Sequence, residues 1–77
     1  MDPQNLVSMA NRIGSFFEVM PDRTEARDGV ATHIRKFWEP RMRRQILAAL
    51  DSSQGAELSA LVVEALRHHR TMLQPTA

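Results

Sequence analysis

The sequence predicts an all-α protein, a small bundle of three to four amphipathic helices, and three observations predict it. Apolar residues recur at steps of three and four in every long segment. No alternating run of four or more β-branched or aromatic residues occurs, and Leu61-Val62-Val63 sits inside a helical pattern. Pro21, Pro40, Gly55 and Pro75 fall between or after the periodic segments, where helices start and stop. The chain has 77 residues, enough for one domain over 1–77 and too few for a TIM barrel or a doubly wound nucleotide fold. A core this thin barely offsets the entropy of ordering the chain, so a staple or a partner is the default expectation.

The first helix is predicted over 3–20. Leu6, Met9, Ile13, Phe16, Phe17 and Met20 form one apolar stripe on it. Asp2 is placed to cap it, and Pro3 suits its first position because the missing N–H has no partner there anyway. Pro21 stops it, since the residue before a proline avoids the α region. The second helix is predicted over 23–38. Asp22-Arg23-Thr24-Glu25 reads as a variant capping box, and Ala26, Val30, Ile34 and Phe37 mark the buried face. A third helix, over 41–51, has the stripe Met42, Ile46, Leu47 and Leu50. Asp51-Ser52-Ser53-Gln54-Gly55 is polar and glycine-terminated, hence a loop. The last helix is predicted over 56–73, with Leu58, Leu61, Val62, Ala65, Leu66 and Leu73 inward. Residues 74–77 should fray. Gly14 and Gly29 fall inside helices at about 1 kcal/mol each against alanine. Either another element approaches closely there, or the loss is tolerated at the surface.

Composition narrows the function. Without cysteine the chain makes no disulfide, thiolate zinc site or iron–sulfur ligation. Ten basic and nine acidic residues give a net charge of +1, which supplies no global attraction to nucleic acid or anionic membranes. No apolar run approaches the ~20 residues that span a bilayer. The start, Met1-Asp2-Pro3-Gln4-Asn5, lacks the basic and apolar regions of a signal peptide. These features set the expectation of a non-exported, cytoplasmic protein.

Catalytic constellations do not emerge. Asp22, Glu25 and Asp28 have the spacing of a helix N-terminus, where negative charge is favoured, and no feature raises the pKa of one of them for acid/base work. His68 and His69 point about 100° apart on a helix and cannot share a metal; Glu64 and His68 share a face but need a third ligand. The five serines lack a nucleophile elbow, and three scattered glycines build no phosphate loop. The reading is therefore no catalytic, cofactor-binding or metal-binding residue in this chain.

The informative stretch is residues 33–44, His-Ile-Arg-Lys-Phe-Trp-Glu-Pro-Arg-Met-Arg-Arg. It holds five of the ten basic residues and the only tryptophan. It reads as a helix–helix corner that doubles as a docking patch, because Trp and Arg are enriched in interface hot spots. On a continuous helix Phe37 belongs to the core and Trp38 to its edge, where a partner reaches it. Arg35, Phe37, Trp38, Arg41, Arg43 and Arg44 are the expected partner-binding residues. Nucleic acid is the rival occupant, disfavoured by Glu39 within the basic run and by the acids of the same helix.

Three segments carry a family resemblance. Leu6 to Phe17 reads L-V-x-M-A-N-x-I-x-x-F-F, His33 to Arg43 reads H-I-R-K-F-W-E-P-R-M-R, and Leu58 to Leu66 reads L-x-x-L-V-x-E-A-L. In this order they resemble the delta subunit of soluble NAD-dependent formate dehydrogenases, the middle motif being the specific one. The resemblance implies a non-catalytic accessory subunit without a redox centre of its own. It further implies a large alpha subunit with a molybdenum or tungsten pterin cofactor and iron–sulfur clusters. Beta and gamma subunits would carry FMN and further clusters and deliver electrons to NAD⁺. The expected partner is the alpha subunit, with no nucleic acid and no membrane. The alternatives are a small nucleic-acid-binding or regulatory protein and an assembly factor absent from the mature enzyme.

Overall fold

The computed structural model describes residues 2–76. Met1 of the opening segment and Ala77 of the expected frayed tail lie outside the described residues. The helices are α1 (Pro3–Phe17), α2 (Arg23–Phe37), α3 (Pro40–Leu50), α4 (Ala60–His68) and α5 (Arg70–Leu73), with a 3-10 turn at Ser53–Glu57. No strand occurs among the described residues. None of the helices there is long and apolar enough to cross a membrane.

The sequence signals at the helix starts are realised in the hydrogen bonds. The Asp2 carboxylate accepts from the Gln4 N–H at 3.0 Å, with Pro3 at the first helical position. The Asp22 carboxylate accepts from the Thr24 and Glu25 N–H groups at 2.8 and 3.3 Å. α1 stops at Phe17 instead of running to Met20. Glu18 caps it, and the Met20 N–H turns back to the Phe17 carbonyl at 3.0 Å, so the chain is already reversing before Pro21.

The last quarter of the chain is more broken than its periodicity suggests. The loop after α3 winds into the 3-10 turn, Leu58 and Ser59 are extended, and α4 begins only at Ala60. At His69 the backbone leaves helical geometry (φ −107°, ψ 25°), which separates α4 from α5. Leu61, Val62, Ala65 and Leu66 before the break and Leu73 after it are buried, so the inward period continues across an interruption that it does not reveal, while Met72 faces outward.

The core is one cluster. Leu6, Val30, Ile34, Ile46, Leu61, Val62, Leu66 and Leu73 are its largest fully buried side chains. Each such aliphatic side chain contributes about 1.5–3 kcal/mol by leaving water. α1 packs on α2 and α3, α2 lies against α4, and α5 closes the end against α2, α3 and α4. Both helical glycines mark close approaches. A Cβ on Gly14 would stand 2.7 Å from Val62 Cγ2, and one on Gly29 would stand 2.5 Å from the Phe17 ring. Gly14 thus lets α1 settle on α4, and Gly29 lets a phenyl ring of α1 lie against the backbone of α2.

Candidate docking face

α1 carries two apolar surfaces. Leu6, Val7, Ala10 and Gly14 are buried. Met9, Ile13, Phe17 and Met20 are only partly buried and pack against the rim of the core. Phe16 is 73% exposed. The single stripe expected over 3–20 therefore divides into a core face and a second, partly exposed face at the rim of the core, which Met20 extends beyond the end of α1.

That second face meets α2 in a run of rings. Phe16 and Phe17 stand edge to face at 5.1 Å between centroids, Phe17 meets His33 at 6.3 Å, and His33 meets Phe37 at 4.8 Å. Such edge-on and tilted contacts suit the quadrupoles of the rings. The two ends of the run, Phe16 and Phe37, face solvent, as does Val19 just beyond α1. Beside the run lies an apolar groove of about 410 Å³, lined by Met9, Ile13, Phe16, Phe17, His33 and Trp38 with Arg12 at its edge. A second hollow of about 480 Å³ shares Phe17 and His33 and reaches Lys36, Phe37 and, at its other end, Glu25.

Two of the expected partner-binding residues sit differently from the sequence reading. Trp38 is buried, at 5% exposure, and Phe37 is 70% exposed, the reverse of the expected assignment. The cause is local. α2 ends at Phe37, and Trp38 is its C-cap with extended backbone (φ −95°, ψ 133°), so the helical spacing that put its side chain at the edge stops one residue earlier. The indole turns into the core and forms part of the groove wall.

Arg43 is the second correction. The sequence reading places it on the docking patch, and it is buried. Its Nη1 donates to the Trp38 carbonyl at 2.9 Å and to the Arg35 carbonyl at 3.4 Å, and its Nε donates to the Leu73 carbonyl at 3.1 Å. These oxygens belong to the C-terminal ends of α2 and α5, which lack intrahelical donors and carry the negative end of the helix dipole. Burial lowers the Arg43 pKa from its ordinary value, with Arg35 and Arg44 adding to the effect. Arg35, Arg41 and Arg44 are exposed.

Asn11 is a residue that the sequence reading missed. Its amide nitrogen donates to the Glu57 carbonyl at 2.9 Å, and its amide oxygen accepts from the Ser59 N–H at 2.8 Å. One side chain of α1 thereby fixes the extended link that leads into α4. An asparagine in the middle of a helix, where its propensity is poor, was the available signal.

The other polar candidates are engaged structurally. Asp28 bonds His69 Nε2 at 2.7 Å and Arg27 Nε at 3.3 Å. Glu64 pairs with Arg23, not His68, with oxygen–nitrogen distances of 2.6 and 2.9 Å. Among the described residues no three His, Asp or Glu side chains gather where an ion could be held. The chain has no cysteine, so the donors among the described residues form no set that would hold a metal or a cluster.

The model of one protein family, described as NADH-dependant formate dehydrogenase delta subunit FdsD, matches residues 5–66. No curated protein and no solved structure matches the chain. The matched span takes in α1 from its third residue, α2, α3 and most of α4, and with them both apolar surfaces of α1 and the whole elbow around Pro40.

Proposed function

The chain belongs to the delta-subunit family of NADH-dependent formate dehydrogenases, and on that premise we propose that it is a non-catalytic accessory subunit docked on the large catalytic subunit. The observation that carries the reading is the aromatic run with solvent-facing ends, Phe16 and Phe37, on a chain of only 77 residues. Large exposed rings beside an apolar groove mark a surface whose burial against a partner is favourable. Phe37 makes the central contact, flanked by Phe16 and by the exposed Arg35, Arg41 and Arg44. Trp38 builds the wall of the groove from within, and Arg43 holds the elbow in shape. The redox centres belong to the larger subunits. Delta acts by binding their folded form only, which stabilises that form by mass action.

Phe37→Ser tests the surface without opening the core, because the ring is mostly in solvent. The variant is expected to keep its helical circular dichroism and to fall to a small fraction of wild-type stoichiometry in the purified enzyme. A truncated hot-spot side chain costs about 2 kcal/mol or more of binding, which is roughly thirtyfold in affinity. A well-folded Phe37→Ser chain retained at full stoichiometry, also when combined with Phe16→Ser, refutes the docking surface.

A further inference from the structure

We infer that the occupant of the α1–α2 face is an acidic amphipathic segment of the larger subunit. Its apolar side fills the groove beside Trp38, and its carboxylates meet Arg12 and Lys36. The inference rests on the docking reading above and adds the chemistry of the partner.

It follows from how the charges are spent. The ion pairs among the described residues join Arg23 to Glu64 and Glu18, Arg27 and His69 to Asp28, and Arg70 to Asp51. They tie α2 to α4 and α5, and the end of α3 to α5, and they engage four of the nine acids. Arg12, Arg35, Lys36, Arg41 and Arg44 enter no such pair. All five are exposed, and all lie on the groove helix α1 or in the elbow between α2 and α3. Among the described residues Arg67 on α4 is the one other exposed arginine or lysine outside these pairs, so five of the six such side chains lie on and around the docking face, where Glu39 is the unpaired acid of the elbow.

The rims of the two hollows give the arrangement a direction. Arg12 borders the groove beside Trp38, and Lys36 borders the hollow next to it. Glu25 borders that second hollow as well, one end of α2 away from Lys36. An apolar recess with cations at one end and an acid at the other complements a segment with an apolar side and carboxylates at its Trp38 end. Charge of this kind selects and orients a partner more than it adds affinity. A phosphate backbone would use the cations but leave the apolar recess empty, so a protein segment is the better fit.

Lys36 is the only lysine of the chain, which makes the contact addressable. Carbodiimide coupling in the purified complex joins an amine to a carboxylate at contact distance with loss of water. It is expected to link Lys36 to an Asp or Glu of a larger subunit. Arg12→Glu combined with Lys36→Glu is expected to weaken incorporation by about tenfold or more through like-charge contact. Arg67→Glu, on α4 and away from this face, should leave incorporation unchanged. If Phe37→Ser is lost from the complex while the double reversal stays at wild-type level, the acidic partner is refuted and the docking surface stands. If both variants stay, the surface itself is refuted. A Lys36 link to a second copy of this chain overturns the inference in favour of a dimer.

Discussion

Arg43 has three carbonyl acceptors and, among the described residues, no carboxylate partner, so its contribution is geometric as much as electrostatic. A planar guanidinium donates in several directions at once, and a lysine ammonium on a flexible stem does not reproduce that fork. Arg43→Met leaves the ends of α2 and α5 without donors and is expected to destabilise the fold by about 2–4 kcal/mol. Arg43→Lys should recover only part of this loss, and urea unfolding of the three proteins orders them. Neither Arg43 nor Trp38 could be placed from the sequence. The sequence locates the elbow through Pro40, but which side chain turns inward depends on where helical geometry ends, a matter of one residue.

At the scale of elements, α1 was legible as a helix and illegible as a helix with two apolar faces. Its buried set and its groove set are both spaced by three and four, and together they cover more of the circumference than one stripe needs. That excess breadth was the sign of a second surface. The alternatives left open for Gly14 and Gly29 resolve toward close approach in both cases. The start of α4 was misplaced by periodicity because a side chain from α1 sets it. Asn11 bridges 46 residues to Glu57 and 48 to Ser59, and no local pattern encodes such a contact. Asn11→Ala removes both bonds, at about 1 kcal/mol each, and recovers roughly 0.5 kcal/mol of helix propensity. A net loss of about 1–2 kcal/mol is expected by thermal unfolding. Hydrogen exchange should quicken most in the link before α4.

For the molecule as a whole, the sequence gives reliable notice of class and core. The residues read as inward in α3 and α4 are buried or packed against the core, and so are Ala26, Val30 and Ile34 of α2. The radius of gyration, 11.2 Å, is that of a fully packed chain of this length, for which about 11.5 Å is expected. Ion pairs between elements tie this small body together, and they give it an acid-sensitive limb. Bonding from His69, and secondarily from Arg27, holds the Asp28 carboxyl below its ordinary range. Arg70 does the same for Asp51. A carboxylate with a depressed folded pKa contributes stability that is fully present above its unfolded value, near 4, and is lost as pH falls through the folded value. The melting temperature should therefore hold steady from neutrality to about pH 5 and drop below about pH 4. Asp28→Asn with Asp51→Asn should flatten that drop. Both pairs are half open to solvent, so added salt should weaken the effect as well.

The burial of Trp38 has an optical consequence. The chain contains no tyrosine, so its ultraviolet emission comes from a single indole. That indole is shielded from water yet forms part of the wall of the groove. Its spectrum should lie to the blue in the folded chain and move to the red on denaturation. It should also shift or quench when anything settles beside it, so an unlabelled titration can follow occupancy of the groove directly.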